Sequence, residues 1–333
     1  MRRLSPALVA TLLVATLLVP NPTGAHHSPA QFDQTAQLTV QGKVTRLDWT
    51  NPHVYIYVET RGANGETAQW MIETDPTPIL TRSGWRRDSV RIGATVTVRA
   101  HPDRDTRRNH ALLISLSRGD GVVLVPRAPT SPGAVRATSM AGVWNSLRGF
   151  AQRRAGPVMP TAKGLAARKA SGIEPVASCI PLASPGLVTL PYLNEIEIRG
   201  DRIVIRSEFF NVDRTVYMDG RGHPTGGMRT RQGHSIGRWE GDVLVVDTTL
   251  FADHPSAYTS GPAQGLPSGS RKHVVERYRL SDDRTRLLID FVVEDPEYLA
   301  EPFTMNMEWD YAPQQRLLRF GCDPAQARRF TFQ

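Results

Sequence analysis

The pentapeptide Gly233-His234-Ser235-Ile236-Gly237 fits the G-x-S-x-G pattern in which many hydrolases present a nucleophilic serine. In those enzymes the serine lies on a sharp turn between a strand and a helix, and the start of the helix helps to hold the oxyanion. Here the turn signal Glu240-Gly241-Asp242 follows closely and leads into an apolar run, which predicts a hairpin. We therefore interpret Ser235 as a strand residue and not as a nucleophile.

Polar side chains on three predicted strands form a candidate ligand site. Glu276 shares a strand face with apolar residues, Asp247 follows two valines in the same way, and His234 is in phase with Arg238 on the strand before it. A carboxylate inside a β-barrel is costly unless it is paired, so Arg238 is the predicted partner of Asp247 or Glu276. The predicted ligand-binding residues are His234, Arg238, Asp247, Glu276 and Tyr278.

Two other interpretations of these charges stay open. In the first, the protein is an enzyme, for example an isomerase, lyase or cyclase, in which Glu276 or Asp247 is the general acid or base and Arg238 is its charge partner. In the second, Arg238 and the acids only tie strands together at one end of a barrel. The pattern favours neither of these over a pocket.

A separate set of histidines predicts a copper site. The chain starts with Arg2 and Arg3, an apolar run and a small-residue cleavage site, so residues 1–25 are expected to be a signal peptide. Cleavage after Ala25 would expose a free amine on His26 next to His27, and His53 supplies a third imidazole at the start of a strand. An amine with two or three imidazoles suits copper(II). The alternative is a solvated chain terminus.

The same leader predicts that the protein is periplasmic or secreted. No later segment is apolar enough to span a bilayer, so a soluble protein is expected after cleavage. The net charge is +8, but the basic residues are scattered doublets, so we expect no nucleic-acid partner and regard an envelope component as a possible partner. Cys179 and Cys322 are expected to form a disulfide, the alternative being two buried thiols.

Residues 26–118 are expected to form an OB-like β-barrel. Five strand-like runs occur in this region, and a short helical piece at 77–84 separates the third from the fourth, which is the order of an OB fold. Residues 119–138 contain three prolines without a sustained period and are expected to be a linker.

Residues 139–333 are expected to form a second, antiparallel barrel of about nine strands. Hairpin signals recur from 195 onward, and the last predicted strand is 316–320. Closing into a barrel is the simplest way to hide the strand edges. Gly142-Val143-Trp144 is similar to the G-x-W on the first strand of lipocalins, so the expected fold class is all-β with short helices, an OB-like barrel followed by a lipocalin-like (calycin-type) barrel.

Two long motifs resemble uncharacterised bacterial families. The run GHSIGRWEGDVLVVDTTLF, with HVVERYRL and DFVVEDPEY after it, is similar to the C-terminal domain of a group of secreted proteins without an established activity. The N-terminal AHHS, GKVTRLDWTNPHVYIYVET and RSGWRRDSVRIGATVTV are similar to a separate domain that usually follows a signal peptide. The resemblance implies the two-domain organisation and export, and it implies no reaction.

The expected function is binding of a small, partly apolar molecule inside the second barrel. Besides the enzyme and copper alternatives, the protein could be an envelope scaffold whose first barrel docks a protein or glycan through Trp49, Trp70 and Trp85, although such tryptophans are more often core residues. No cofactor is expected, and copper(II) at the processed N-terminus is the alternative to that expectation.

Overall fold

The structure is a computed structural model of the 333-residue chain. It describes residues 31–62, 64–128, 135–170, 179–255, 258 and 262–327. The expected fold class is confirmed, because 43 % of the described residues are in strands and these strands close into two β-barrels, one of five strands and one of nine. The predicted signal peptide, with His26 and His27, lies outside the described residues.

The first barrel has the strand order of an OB fold. Its strands pair in the order β3-β2-β1-β4-β5, and a parallel pairing of β3 with β5 closes the barrel. Helix α1 lies between β3 and β4, as the sequence predicts. The elements are β1 Leu38–Asp48, β2 Tyr55–Arg61, β3 Thr67–Glu73, α1 Thr77–Arg82, β4 Thr95–Pro102 and β5 His110–Arg118, and β6 Val123–Leu124 extends the sheet beside β5.

The strands of the second barrel neighbour each other in sequence order, except that β7, the first of them in the chain, lies between β9 and β16. Strands β9 to β16 follow in sequence order, and β7 pairs with both β9 and β16. The strands are β7 Gly142–Asn145, β9 Leu193–Arg199, β10 Arg202–Ser207, β11 Val212–Tyr217, β12 His234–Glu240, β13 Val243–Thr249, β14 His273–Leu280, β15 Arg286–Glu294 and β16 Phe303–Tyr311. The accessory elements are α2 Leu147–Gln152, β8 Arg154–Ala155, α3 Ala162–Ala170 and α4 Pro324–Ala327.

The pairing of β11 with β12 is the shortest ladder between consecutive strands of this barrel. Strands β14 and β15 pair over eight residues, whereas β11 and β12 pair in parallel at only two positions, Val216 with Ser235 and Tyr217 with Ile236. The first four residues of β11 therefore lack a ladder partner on the β12 side. We refer to this place in the wall as the β11–β12 seam.

Strict alternation along the strands fills the interior of the second barrel. On β14 the inward residues Val274, Glu276 and Tyr278 are buried and alternate with partly or fully exposed neighbours, and β15 and β16 follow the same period of two. The interior side chains form one apolar cluster that includes Trp144, Tyr278, Phe291, Met307 and Trp309. Two charged side chains, described below, cross this cluster.

The predicted last strand at 316–320 is wrong. These residues form no strand, and β7 takes the place beside β16. Their amides bond to side chains instead, Leu318 N–H to Glu208 Oε1 at 2.7 Å and Phe320 N–H to Asn211 Oδ1 at 3.0 Å. An extended segment that is satisfied by side chains has the same apolar pattern as a strand, so periodicity alone could not separate the two.

One disulfide and one buried ion pair join distant parts of the chain. The predicted disulfide between Cys179 and Cys322 is confirmed, and the Asn51 amide donates to Gly321 O at 3.0 Å beside it. Arg82 of α1 forms a two-pronged ion pair with the fully buried Glu208 of the second barrel, at 2.7 and 2.6 Å. The two barrels therefore touch through a charged contact near the disulfide.

The start of the predicted linker packs on the first barrel. The indole of Trp85 donates to Val125 O at 2.7 Å, and Arg127 pairs with Asp75 at 2.7 Å. Within the described ranges, we find no helix that has both the length and the apolar composition needed to cross a membrane.

Candidate functional site

A charged cluster spans the interior of the second barrel. Arg214 on β11 reaches across the lumen to Glu276 on β14, with an N–O distance of 2.5 Å, and both side chains are almost fully buried. Tyr278, two residues further along β14, donates its hydroxyl to Glu276 Oε1 at 3.0 Å. Arg214 Nη2 lies 3.4 Å from the same hydroxyl oxygen. We refer to these three residues as the lumen cluster.

The surroundings of the lumen cluster fix the protonation states of Arg214 and Tyr278. Burial would lower the pKa of Arg214, but the carboxylate of Glu276 raises it above its ordinary value, so the guanidinium stays charged. Burial, followed by the charge of Glu276, raises the pKa of Tyr278 well above its usual range, so the phenol stays protonated. The Arg214–Glu276 pair therefore contributes no net charge to the lumen.

Several buried polar atoms around the lumen cluster have no hydrogen-bond partner among the described residues. They include Nε and Nη1 of Arg214, Nε1 of Trp309, Oγ of Ser207 and Oδ1 of Asn194. Trp309 on β16 packs edge-on against Tyr278, with ring centroids 6.2 Å apart. Because buried polar groups almost always have a partner, this concentration of unmatched donors and acceptors is unusual.

Strand pairing places these atoms on one side of the lumen. Ser207 lies opposite both Asn194 and Val212, and the next inward position of β11 after Val212 is Arg214. Asn194, Ser207 and Arg214 thus occupy neighbouring inward positions on β9, β10 and β11. Together with Trp309 on β16, they form a polar band on one side of an otherwise apolar interior.

The predicted pairing of Arg238 with Asp247 or Glu276 is wrong. The side chain of Arg238 is 61 % exposed and pairs with Glu240 at 2.6 Å. The reason is strand parity: Glu276 is opposite Val246 on the inner face, whereas Arg238 is opposite Val245 on the outer face. The arginine beside the lumen acid is Arg214.

A sequence signal for Arg214 existed. In Val212-Asp213-Arg214-Thr215-Val216 the arginine shares a strand face with two valines, which is the same pattern that singled out Glu276. Of the predicted ligand-binding residues, the structure places Glu276 and Tyr278 together in the lumen. The other three, His234, Arg238 and Asp247, lie on the outer face of the barrel.

His234 and Asp247 belong to a second cluster, which we call the outer histidine row. Asp247 Oδ1 lies 3.0 Å from Nε2 of both His223 and His273. The other nitrogen of His273 lies 3.1 Å from Glu294 Oε2, and Nδ1 of His223 lies 2.9 Å from Nδ1 of His234. The row therefore joins strands β12 to β15 to His223, which lies in the loop between β11 and β12.

The histidines of the row differ in charge. Burial lowers the pKa of His234, and the charges of the neighbouring His223 and Arg221 lower it further. This imidazole is therefore neutral near pH 7. Burial opposes protonation of His273, but its bonds to Glu294 and Asp247 outweigh burial and raise its pKa. Both ring nitrogens of His273 face carboxylates, and only the doubly protonated imidazolium satisfies both.

The contact of His223 with His234 is a linear hydrogen bond. Their ring centroids are 5.1 Å apart, which is close to the 2.9 Å nitrogen distance plus the two ring radii, so the nitrogens point at each other. Two ligands of one metal ion would converge at an angle instead. No group of three or more histidine, cysteine or carboxylate side chains in the described part of the chain is arranged to hold a metal ion.

The side chain of Ser235, in the G-x-S-x-G pattern, lies on the inner face of the second barrel. It is fully buried, and its Oγ lies 2.8 Å from Thr248 Oγ1 on the neighbouring strand. The pattern runs directly into β12, which pairs with β13 as a hairpin. This geometry provides neither an exposed hydroxyl nor a helix start.

A third cluster lies at one end of the first barrel. Both ring nitrogens of the buried His110 face carboxylates: Nδ1 lies 3.1 Å from Asp103, and Nε2 lies 3.3 Å from Glu73. The other carboxylate oxygen of Glu73 lies 3.3 Å from His53 Nδ1. Gln31 donates to Asp103 Oδ2 at 2.8 Å. This places His53 beside Glu73 and His110, residues that the sequence did not single out.

The tryptophans proposed for docking are largely core residues. Trp85 is buried in the first barrel, and Trp49 and Trp70 are partly buried and pack against the same apolar cluster. Their contacts are those of a barrel interior and its rim.

An open cleft lies at the β11–β12 seam. It has a volume of 430 Å³ and lies between the start of β11 and the segment that leads into β12. Its lining residues are Pro181, Val212, Arg229, Thr230, Arg231, Gln232, Ala252 and Asp253.

Comparison with known proteins supports the resemblance of the first barrel only. Residues 15–112 match a family of unknown function, DUF6152, which is less than half of the chain. The match includes the cluster of His53, Glu73 and His110. None of the curated proteins compared with the chain matches it. The resemblance of the second barrel to a secreted bacterial family stays a prediction.

Proposed function

We propose that the protein is an exported binding protein that holds one small, neutral, partly apolar molecule in the lumen of the second barrel. The observation that carries this proposal is the set of buried, unmatched N–H groups of Arg214 and Trp309. Burying a polar group without a partner costs about 1 to 3 kcal/mol. A ligand that supplies the missing partner therefore recovers free energy that favours its binding.

The charge balance of the lumen favours a neutral ligand. Arg214 and Glu276 already neutralise each other, so a carboxylate or phosphate would add an uncompensated charge to a buried site. The unmatched groups of Arg214 and Trp309 are donors, so the ligand should carry an acceptor such as a carbonyl or hydroxyl oxygen. The side chains packed around the lumen cluster are aromatic and aliphatic, so a ligand that displaces part of this packing should have an apolar body.

A fluorescence titration with prodan, a neutral naphthalene ketone, tests the proposal. We expect saturable one-to-one binding with a blue shift, and binding at least about tenfold weaker for the anionic dye anilinonaphthalene sulfonate. Arg214→Lys keeps the charge opposite Glu276 but removes the side-facing N–H groups, and Trp309→Phe removes the indole N–H. Each variant should weaken prodan binding by about three- to tenfold.

Arg238→Met is the matched control, because Arg238 is an exposed arginine on the same barrel and pairs with Glu240. It should bind prodan as the wild-type protein does. Circular dichroism checks that each variant is folded. Absence of saturable binding, or equal binding by Arg214→Lys, Trp309→Phe and the control, would contradict the proposal.

One observation favours a second candidate function, copper(II) binding through the processed N-terminus. Gln31 is fixed beside His110 by its bond to Asp103. His27 precedes Gln31 by four positions in the sequence, and His53 belongs to the same cluster as His110. His26 and His27 lie outside the described residues. Their amine and imidazoles, together with His53, form a donor set that suits copper(II).

Copper(II) titration of protein processed to begin at His26 tests this candidate. A form with one extra N-terminal residue, which lacks the amine at His26, should bind copper(II) at least about tenfold more weakly. His53→Gln should also weaken binding. Equal affinity of the processed and extended forms would rule out the terminal site.

A further inference from the structure

Two unmatched acceptor oxygens lie in the polar band beside the unmatched donors. Oδ1 of Asn194 and Oγ of Ser207 have no hydrogen-bond partner within the part of the chain that the structure describes, and the two residues are 1 % and 2 % exposed. The side-chain nitrogen of Asn194 donates to Tyr192 O at 3.5 Å, so the oxygen is the end of this amide that stays unmatched. An acceptor on the ligand satisfies Arg214 and Trp309 but leaves these two oxygens without a donor.

Strand pairing brings the two acceptors together and places Arg214 beside them. Asn194 on β9 is directly opposite Ser207 on β10, and the Cβ atoms of such a pair are about 4.5 to 5.5 Å apart. Ser207 is also opposite Val212 on β11, so Arg214, two residues further along β11, is its diagonal neighbour. Diagonal neighbours are about 7 to 8 Å apart, which a long side chain spans.

The same ladder leads from Asn194 to Trp309 in the other direction. Asn194 is opposite Trp144 on β7, and Trp144 is opposite Tyr311 on β16. Trp309 lies two residues before Tyr311 and therefore on the same face of β16. Around the barrel wall, the two acceptors thus lie between the two sources of unmatched N–H groups, with Arg214 on one side and Trp309 on the other.

The acceptors that remain for a ligand are uncharged. The carboxylate of Glu276 already forms the ion pair with Arg214 and accepts the hydroxyl of Tyr278. The oxygens of Asn194 and Ser207 are neutral and cannot compensate a buried ammonium group. A ligand that satisfies them should therefore carry neutral N–H or O–H donors in addition to its acceptor.

A primary carboxamide matches the numbers of donors and acceptors in the polar band. Its oxygen has two lone pairs, which suit the N–H groups of Arg214 and Trp309, and its nitrogen carries two N–H groups, which suit Asn194 Oδ1 and Ser207 Oγ. A ketone of the same shape would leave both acceptors unmatched. A hydroxyl group has a single hydrogen and would leave one of them unmatched.

We propose that the ligand of the second barrel is recognised through a primary carboxamide group, and that Asn194 and Ser207 are the residues that select this group over a ketone. This proposal rests on the proposed function, since it names the chemical class of the molecule that the same lumen holds.

Displacement of prodan by three naphthalene compounds tests the proposal on the unmodified protein. 2-Naphthamide and 2-acetonaphthone have nearly the same shape and differ in an NH2 group in place of a methyl group, and 1-(2-naphthyl)ethanol carries a hydroxyl group. We expect 2-naphthamide to bind at least about threefold more tightly than either of the other two, because only the amide gives both acceptors a donor.

Substitution of each acceptor tests the assignment to Asn194 and Ser207. Asn194→Leu and Ser207→Ala remove one acceptor each with little change in volume. Each should abolish or reverse the preference for 2-naphthamide and change the affinity for 2-acetonaphthone by less than about threefold. Trp309→Phe removes a donor that both compounds use, so it should weaken both by a similar factor and keep the preference. Arg238→Met is the exposed control and should keep both affinities.

The outcomes separate this proposal from the proposed function. If prodan binding depends on Arg214 and Trp309 but 2-naphthamide binds no more tightly than the ketone or the alcohol, the carboxamide is wrong and the binding proposal stands. A preference for the amide that survives in both Asn194→Leu and Ser207→Ala would equally contradict the roles of these two residues. If neither prodan nor any of the three compounds binds, both proposals fail. Circular dichroism checks the folding of each variant, and the ligand series on the wild type does not depend on it.

Discussion

At the scale of single residues, the side chains that face the lumen determine what the second barrel can bind. Periodicity along β14 correctly predicted Glu276 and Tyr278 as inward residues, and it also required an arginine beside the acid. It identified the wrong one, since Arg238 is on the outer face and Arg214 makes the pair. The partner comes from a strand that is not adjacent to β14 in the sheet, and a contact across a lumen has no signature in local spacing.

Removing one member of the buried pair should be far more damaging than removing an exposed arginine. Arg214→Met leaves the carboxylate of Glu276 buried without its charge partner, which typically costs about 3 to 5 kcal/mol. Arg238→Met removes a solvent-exposed pair and should change stability by less than about 1 kcal/mol. Urea unfolding monitored by circular dichroism measures both. Equal effects of the two substitutions would show that the lumen pair is not as described.

At the scale of elements, the five strand-like runs of the first region and the hairpin signals from 195 onward correspond to strands of the two barrels. The exceptions have physical reasons. Residues 316–320 have the pattern of a strand but are bonded by the side chains of Glu208 and Asn211. The parallel contact of β11 with β12 was also missed, because the turn signals on either side of the loop suggested successive antiparallel hairpins.

The segment before β14 carries a buried lysine that should make stability depend on pH. Lys272 Nζ donates to Ser184 O at 2.9 Å and to Ser268 Oγ at 3.2 Å, and it lies 4.0 Å from the ring centroid of Phe251. Burial lowers the pKa of Lys272 to about 7, although the charge of Asp295 opposes this shift. The unfolded chain has an ordinary lysine pKa near 10.5.

Between these two values the unfolded chain binds more protons, so the contribution of Lys272 to stability rises with pH, by up to about 1.4 kcal/mol per pH unit. Lys272→Met lacks this dependence. We expect the free energy of unfolding of the wild type, relative to that of Lys272→Met, to increase from pH 7 to pH 9.5 in urea titrations. A difference that stays constant over this range would mean that the lysine has an ordinary pKa when folded.

At the scale of the whole molecule, the sequence predicted two β-barrels, and the structure has two. Alternation, a glycine-closed helix between the third and fourth strands, and repeated hairpins were sufficient for this, because each reports on local geometry. The packing of the barrels against each other through Arg82 and Glu208 was not predictable, since it joins residues 126 positions apart by an ion pair without a local pattern.

The disulfide should stabilise the second half of the chain strongly. Cys179 and Cys322 are 143 positions apart. Closing a loop of that length lowers the conformational entropy of the unfolded chain and so raises its free energy by about 5 kcal/mol at 25 °C. The pair Cys179→Ala and Cys322→Ala should therefore shift the urea midpoint to lower concentration with little change in the native spectrum. The oxidised and reduced wild type provide the comparison, and identical midpoints would contradict the expectation.

Native mass spectrometry of the protein purified from the cells that produce it is the decisive test of ligand binding in the second barrel. We expect the wild-type protein to carry a single non-covalent small molecule that is neutral and is released on denaturation. Arg238→Met should retain this molecule, whereas Trp309→Phe and Arg214→Lys should lose most of it. A wild-type mass equal to that of the processed chain alone, with only ordered water beside Arg214 and Trp309 in a crystal structure, would contradict the account.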